Sequence, residues 1–468
     1  MSERVTFTVD GKEIEAEKGA ILLQVLLEHG FEIPYYCYHE ALGPDGNCRM
    51  CMVEIEGKKR PQISCDTFVE EGLVVRTDTE TIRQVRRGIL ELQLVNHPVD
   101  CPVCDQAGEC SLQDYYMEYG LYHGKVDRGE KLHFEKHLDL GRDVVLDQER
   151  CVLCQRCTRF TSDITKTHEL GVVWRGDRAR IDTVPGRKLA NDYAMNVVDL
   201  CPVGALTSRD FRFKQRVWFL TPVPSVCHGC SKGCSIYADH HKPKLGDDTI
   251  YRFRPRKNPQ VNGHFICDDG RLSYKTLHTG RLKEARGEEG SLGFGEAEAR
   301  LHEILENHEG PLLVLADANL YLEELELIQI FARRFGAAMH VPAESYVDES
   351  FADGWLKQAE RAANLEGARR LGIDTSTPVP DEKTLIVNFN HPAASKLAGE
   401  RIDLLTHEPE RFDARLTLPL AAWCESEGTL VNHEGVEQRC ERILEPNEPV
   451  PTVAEWLEAY DLGERCTP

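Results

Sequence analysis

Closely spaced cysteines run from Cys37 to Cys267 and constrain the fold of this chain more than any other feature. Of its 18 cysteines, 15 lie in this region, in short-spaced groups. The first residues lack the basic and apolar segments of a secretion signal, so we expect a reducing compartment, where clustered cysteines usually bind metal. With one histidine they make four sets of four candidate ligands. The first set is Cys37, Cys48, Cys51 and Cys65; the second is His97, Cys101, Cys104 and Cys110; the third is Cys151, Cys154, Cys157 and Cys201; the fourth is Cys227, Cys230, Cys234 and Cys267.

The composition limits the classes of function that the chain can have. At 468 residues it has room for about three domains. Its formal net charge of −22 argues against a nucleic-acid binder, because such a protein needs a basic surface. No apolar run approaches the roughly 18 residues that suggest a membrane span. We therefore expect contact with a membrane only through partner subunits.

The first set lies on a predicted β-grasp scaffold over residues 1–78. Alternating apolar residues predict a strand up to Val9, a turn at Asp10-Gly11 and a return strand through Ile14. A helix is predicted over 20–29 and further strands near 52–55 and 73–75. This is the layout of a plant-type ferredoxin, although ten residues separate Cys37 from Cys48. The pattern favours a [2Fe–2S] cluster over the alternative, a four-cysteine zinc site.

The second set follows a predicted helix in the module 79–120. Apolar residues recur at helical spacing from Ile82 to Val95, and Asn96-His97-Pro98 ends the run. Three cysteines and one histidine on their own suit zinc as well as iron. Beside the other three sets, we favour a [4Fe–4S] cluster with one imidazole ligand.

The third set has the most specific spacing, in the module 140–216. Cys151, Cys154 and Cys157 present three thiolates from one loop, and the distant Cys201-Pro202 supplies the fourth. Bacterial ferredoxins use the same Cys-Pro ligand for a [4Fe–4S] cluster. We therefore predict a [4Fe–4S] cluster here.

The fourth set, in the domain 217–272, has a long gap before its last cysteine. The spacing of its cysteines is similar to that of the cysteines that bind the [4Fe–4S] cluster at the entrance of molybdopterin oxidoreductases. A zinc ribbon is the alternative.

Residues 280–468 have the pattern of an α/β domain. Leu312–Leu315 is predicted to be a buried strand, Asn319 to cap a helix that ends at Gly336, and short strands to follow near 385–387 and 416–418. Gly428-Thr429-Leu430-Val431-Asn432 is similar to a stretch of molybdopterin-family folds. The three remaining cysteines, Cys424, Cys440 and Cys466, are interpreted as structural or surface thiols.

With its four sets in this order, the chain resembles the 75-kDa-type iron–sulfur subunit of respiratory complex I, which is the G subunit of bacterial NADH–quinone oxidoreductase. The resemblance covers about residues 1–270 at the level of motifs. It implies an α+β multidomain chain with a β-grasp ferredoxin, two [4Fe–4S] modules and a shortened molybdopterin-oxidoreductase-like α/β domain without the pterin. It also implies one [2Fe–2S] and three [4Fe–4S] clusters on the sixteen ligands, and no flavin, NAD or molybdopterin in this chain.

The resemblance further implies a function and partners. Electrons would come from a flavin- and NADH-binding subunit and pass toward quinone, and this chain would carry electron transfer only. A thioredoxin-like [2Fe–2S] subunit and subunits of the quinone module would be its other partners, at the cytoplasmic face of the bacterial inner membrane. The same order of the first three sets occurs in soluble NAD-linked hydrogenases and formate dehydrogenases, so an iron–sulfur subunit of one of these is the alternative.

Overall fold

The computed structural model describes residues 3–120, 124–446 and 448–460. Cys466 lies outside these residues. The chain divides into two compact units, Met1–Phe219 and Leu220–Pro468. The N-terminal unit contains the first three sets, and the C-terminal unit contains the fourth.

The N-terminal unit begins with the predicted β-grasp. Its strands are β1 Arg4–Val9, β2 Lys12–Glu17, β3 Met52–Ile55, β4 Gln62–Ile63, β5 Val74–Arg76, β6 Leu138–Asp139, β7 Val144–Leu146, β8 Leu170–Val173, β9 Arg180–Thr183 and β10 Leu206–Ser208. Its helices are α1 Leu22–Glu28, α2 Glu80–Leu94, α3 Ser111–Tyr119, α4 Arg156–Arg159 and α5 Asn196–Leu200.

Local sequence accounts for the β-grasp sheet, whose strand order is β2-β1-β5-β3-β4. Asp10 and Gly11 both have positive φ, 46° and 81°, as the tight turn between antiparallel β1 and β2 requires. The apolar face of α1 packs on the sheet in one core with Phe7 and Val53. The predicted strands and helix of this domain are confirmed, and so is the helix before the second set, which is α2.

The described residues of the C-terminal unit form three sheets. Its strands are β11 Thr221–Val226, β12 Ser235–His241, β13 Thr249–Pro255, β14 Ala285–Gly287, β15 Gly290–Leu292, β16 Leu312–Ala316, β17 Ala338–His340, β18 Leu385–Phe389, β19 Glu400–Leu405, β20 Leu416–Pro419, β21 Gly428–Val431 and β22 Glu437–Cys440. Its helices are α6 Asp268–Leu272, α7 Phe294–Glu306, α8 Leu322–Arg334, α9 Leu365–Arg370 and α10 Val453–Leu457.

The largest sheet has the order β15-β14-β20-β19-β18-β16-β17, and the run from β20 to β17 is parallel. Helices α7 and α8 contribute to its buried core, so the predicted α/β character is confirmed. The predicted cap at Asn319 is wrong: α8 begins after Tyr321, and the Asn319 side chain accepts a hydrogen bond from the Ala363 amide instead. The prediction fails because Asn319 bonds a residue far along the chain, and the local sequence does not reveal such a partner.

Candidate metal centres

The first set brings its sulfurs into direct contact. The Sγ atoms of Cys37 and Cys48 lie 3.4 Å apart, and the Tyr36 amide donates to Cys48 Sγ over 3.4 Å. Hydrogen bonds from the Cys48 and Cys65 thiols lower the pKa of Cys37, and a hydrogen bond from Cys65 lowers the pKa of Cys51 to about 7. Cys37, Cys51 and Cys65 are buried. The four sulfurs thus gather in one enclosed place, as a binuclear cluster requires.

In the second set, Cys104 and Cys110 are buried, and Cys110 stands directly before α3. A Cβ atom added to Gly204 would lie 2.2 Å from Cys104 Sγ, so the backbone after Cys201 touches this sulfur. Burial lowers the pKa of His97 to about 4, which keeps the ring neutral at pH 7, as a metal ligand must be.

The His97 ring already has a hydrogen-bond partner. Its Nδ1 accepts from the Val99 amide over 3.0 Å. A neutral imidazole has one unprotonated nitrogen, and here that nitrogen is Nδ1. Ligation through Nε2 therefore requires the proton to move to Nδ1 and the Val99 hydrogen bond to open.

The third set encloses a cavity. Cys151, Cys154, Cys157 and Cys201 all line it, with apolar walls that include Leu146 and Val203. Burial raises the pKa of Cys154 to about 12 and also raises the pKa of its three neighbours, so these thiols are protonated at pH 7. Metal must displace those protons on binding. A closed, apolar cavity with four sulfurs fits an iron–sulfur cluster well.

In the fourth set, all four cysteines are buried. The Gly229 amide donates to Cys227 Sγ over 3.4 Å, and the Gly270 amide donates to Cys267 Sγ over 3.3 Å. A Cβ atom on Gly270 would lie 2.9 Å from Cys227 Sγ and 3.3 Å from Cys267 Sγ. The two sulfurs therefore face the same glycine, which lets the backbone approach both of them.

Hydrogen bonds to backbone carbonyl oxygens join the first three sets within the N-terminal unit. The Asn47 side chain donates to Leu153 O over 2.7 Å, which links the loops of the first and third sets. The Ser111 amide donates to Pro202 O over 2.9 Å, which links the second and third sets. Loops of the third set thus contact loops of both other sets.

Arginines next to these loops were not among the predicted site residues. Arg159 donates to carbonyl oxygens of the first-set loop, including Cys37 O at 3.2 Å and Gly43 O at 3.1 Å. Arg150 and Arg156 are buried beside the second and third sets. For Arg150 and Arg156, the signal that could have found them is a charged residue directly before a candidate ligand cysteine; Arg159 precedes Phe160, and no such signal marks it.

Single-ion metal sites and membrane-spanning helices are both absent from the described residues. In residues 3–120, 124–446 and 448–460, no three or more His, Cys, Asp or Glu side chains are grouped as one metal ion would need. Of the helices in the part of the chain that the structure describes, none combines the length and hydropathy needed to cross a bilayer.

Four family profiles match the chain, one for each set. They are the 2Fe-2S iron-sulfur cluster binding domain at 2–80, the NADH-ubiquinone oxidoreductase-G iron-sulfur binding region at 86–125, the ferredoxin-like domain of NADH-quinone oxidoreductase subunit 3 at 141–207, and the molybdopterin oxidoreductase Fe4S4 domain at 220–279. The chain is thus a mixed α/β protein that carries iron–sulfur ferredoxin-like and molybdopterin-oxidoreductase Fe4S4 domains.

Curated relatives agree with these profiles. The NADH-quinone oxidoreductase G subunit of Streptomyces coelicolor is 36% identical over 337 residues, which is 70% of this chain and 39% of the relative. The Rickettsia bellii protein of the same name is 37% identical over 280 residues, 60% of this chain and 40% of the relative. The chain therefore spans about two fifths of the length of these relatives.

Among solved structures, the NAD+-reducing [NiFe]-hydrogenase in the H2-reduced state has a chain that is 31% identical. The match covers 46% of this chain and 91% of that chain, with a TM-score of 0.41. From the four profiles and the curated relatives, the chain is a homologue of the G subunit of NADH-quinone oxidoreductase.

Proposed function

We propose that this chain is an iron–sulfur electron-transfer subunit of an NADH–quinone oxidoreductase. The observation that carries the proposal is the contact of the third-set loops with the loops of both other sets in one compact unit. Electrons received from a flavin- and NADH-binding subunit would pass through this unit toward quinone. Other partners would be a thioredoxin-like [2Fe–2S] subunit and the quinone module, at the cytoplasmic face of a bacterial inner membrane.

We assign the sixteen candidate ligands to one [2Fe–2S] cluster on the first set and one [4Fe–4S] cluster on each of the others. Bound clusters would supply one-electron redox chemistry. The residues of the chain hold the thiolates, exclude water and orient backbone amides toward sulfur, as Tyr36, Gly229 and Gly270 do. The module limits 1–78, 79–120, 140–216, 217–272 and 280–468 stay predictions.

Iron analysis tests the cluster assignment. Anaerobically purified full-length chain should be brown and carry about 14 iron atoms. Changing Cys154 to Ala should abolish one [4Fe–4S] signal in electron paramagnetic resonance (EPR) and leave the others. Colourless protein with about four zinc atoms would mean that the sets are tetrahedral zinc sites.

Co-purification tests the partner assignment. A tagged chain should isolate a membrane complex that reduces quinone with NADH. Isolation with a nickel- or molybdenum-containing soluble partner would instead support an iron–sulfur subunit of an NAD-linked hydrogenase or formate dehydrogenase.

A further inference from the structure

Two buried arginines stand directly before ligand cysteines of the third set. Arg150 precedes Cys151 and is 3% exposed, and Arg156 precedes Cys157 and is 8% exposed. A guanidinium has five N–H donors and stays charged at every pH at which a protein is folded. Each of these side chains therefore brings a permanent charge and several donors that need partners into the interior.

Two of the three guanidinium nitrogens of Arg150 face carboxylates. Its Nε and Nη2 donate to Asp100 over 2.9 and 2.7 Å, and Nε also lies 3.3 Å from Asp147 Oδ2. Its third nitrogen, Nη1, is buried and has no hydrogen-bond partner among the described residues. The side chain lies near Gly204, whose missing Cβ makes room for Cys104 Sγ. The free donor is thus buried next to the second set.

Arg156 shows the same arrangement at the third set. Its Nη1 donates to Leu200 O over 3.0 Å, and its Nη2 donates to Tyr38 O over 2.5 Å. Its Nε is buried and lacks a partner in the described part of the chain. The residue lines the cavity that the four cysteines of the third set enclose. Here too, one guanidinium nitrogen without a partner belongs to a residue that lines the cavity of candidate sulfur ligands.

We propose that each arginine donates an N–H of its unpartnered nitrogen, Nη1 in Arg150 and Nε in Arg156, to a sulfur of the neighbouring cluster and raises the reduction potential of that cluster. Arg150 acts on the cluster of the second set, and Arg156 on the cluster of the third. The inference rests on the proposed function. Reduction adds one electron to a cluster, so a fixed positive charge and a charge-assisted hydrogen bond stabilise the reduced form more than the oxidised form. No proton moves, because the guanidinium stays protonated in both states.

Redox titration followed by EPR tests the proposal on the full-length, cluster-loaded chain. Arg150→Gln should lower the midpoint potential of the second-set cluster, and Arg156→Gln that of the third-set cluster. We expect the ratio of reduced to oxidised cluster at a fixed potential to fall about tenfold, equivalent to about 59 mV for one electron. The second-set signal is recognised by hyperfine coupling to its histidine nitrogen.

Arg159→Gln is the matched control, since Arg159 lies in the same helix as Arg156 but donates to carbonyl oxygens of the first-set loop. It should leave both [4Fe–4S] midpoints unchanged. Midpoints that do not move in Arg150→Gln and Arg156→Gln with full iron content would overturn the proposal. Equal shifts of both clusters in each variant would also overturn it, because they would reflect net charge and not a local donor.

Loss of Arg150 leaves Asp100 with Lys136, whose Nζ lies 3.3 Å from Asp100 Oδ2, and changes the charge beside the second set, so Arg150→Lys provides a second test. Lysine keeps the charge but has no planar fork. Arg150→Lys should lower the midpoint potential of the second-set cluster alone, and by less than Arg150→Gln does. An unchanged midpoint potential of that cluster would contradict the proposal. Wild-type chain without iron would defeat the proposed function, whereas loaded clusters with unmoved midpoints would defeat only this inference.

Discussion

At the scale of single residues, space beside sulfur is the main constraint on the second and fourth sets. Gly204 and Gly270 lie so close to cysteine sulfurs that neither position has room for a methyl group. Neither glycine has the positive φ that would demand glycine for backbone reasons. Their role is therefore close approach of the backbone and not a turn.

Replacing Gly204 with Ala should remove the second cluster. The new methyl group would meet Cys104 Sγ at 2.2 Å and Gln106 Cβ at 3.0 Å, so the sulfur must move out of its place. We expect iron content to fall by about four atoms and the histidine-coupled EPR signal to disappear.

Gly171→Ala is the control for that substitution, because a Cβ atom there meets nothing within 4 Å. It should keep the full iron content. A Gly204→Ala chain with an unchanged histidine-coupled signal would contradict the close-packing argument.

At the scale of secondary-structure elements, α8 shows how a helix end stabilises the C-terminal unit. Glu324 in its first turn accepts a hydrogen bond from the Tyr321 amide over 2.9 Å. Acidic residues in the first turn and Arg333 and Arg334 in the last complement the helix dipole. Burial nevertheless raises the pKa of Glu324 to about 7, because its carboxylate is withdrawn from water.

The raised pKa makes a prediction about pH. Between about pH 4.5 and about pH 7 the folded state binds more protons at Glu324 than the unfolded state, so stability falls as pH rises through this window. Glu324→Gln keeps an acceptor but cannot ionise. Across that window, its free energy of unfolding should therefore fall by up to about 3 kcal/mol less than that of the wild-type chain. Urea unfolding of the C-terminal unit at both ends of the window measures this. Exposed Glu326→Gln should keep the wild-type dependence, and an unchanged dependence in Glu324→Gln would refute the assignment.

A second element-level prediction concerns α4, which anchors the first-set loop through Arg159. Arg159→Ala leaves the carbonyl oxygens of Cys37, Gly43 and Pro44 without this donor. Hydrogen bonds to charged groups contribute about 1.5–3 kcal/mol, so amides of this loop should exchange hydrogen faster by a corresponding factor. The exposed Arg187 side chain donates to Thr167 O, outside the first-set loop, and Arg187→Ala should leave the loop amides unaffected. Equal exchange in the two variants would show that Arg159 does not hold the loop.

At the scale of the whole molecule, the sets are divided unequally. The first three lie in the N-terminal unit, whereas the fourth lies in the C-terminal unit and shares a core with residues near its end, such as Ile443 and Leu444. The sequence alone predicted separate limits for the fourth-set domain and the α/β domain. In the structure, the two share buried residues and form one compact unit.

This division predicts different consequences for two cysteine substitutions. Under the proposed function, Cys227→Ala should destabilise the C-terminal unit and remove about four iron atoms, while EPR signals of the other sets and electron transfer in the proposed complex persist. Cys154→Ala should interrupt electron transfer, since the third-set loops contact those of both other sets. Loss of turnover in Cys227→Ala with the other three signals intact would contradict this prediction.

The sequence by itself determined what depends on neighbours along the chain. Strand alternation and the Asp10-Gly11 turn predicted the β-grasp hairpin, and helical periodicity predicted α2, because each reflects short-range geometry. The four ligand sets stay predictions. Only the tertiary structure decided that Gly204 touches Cys104, that Arg150 and Arg156 are buried with free donors, and that the fourth set joins the C-terminal unit. Those facts depend on packing between segments that are far apart in the chain. The local sequence does not predict which distant segment will pack beside a given residue.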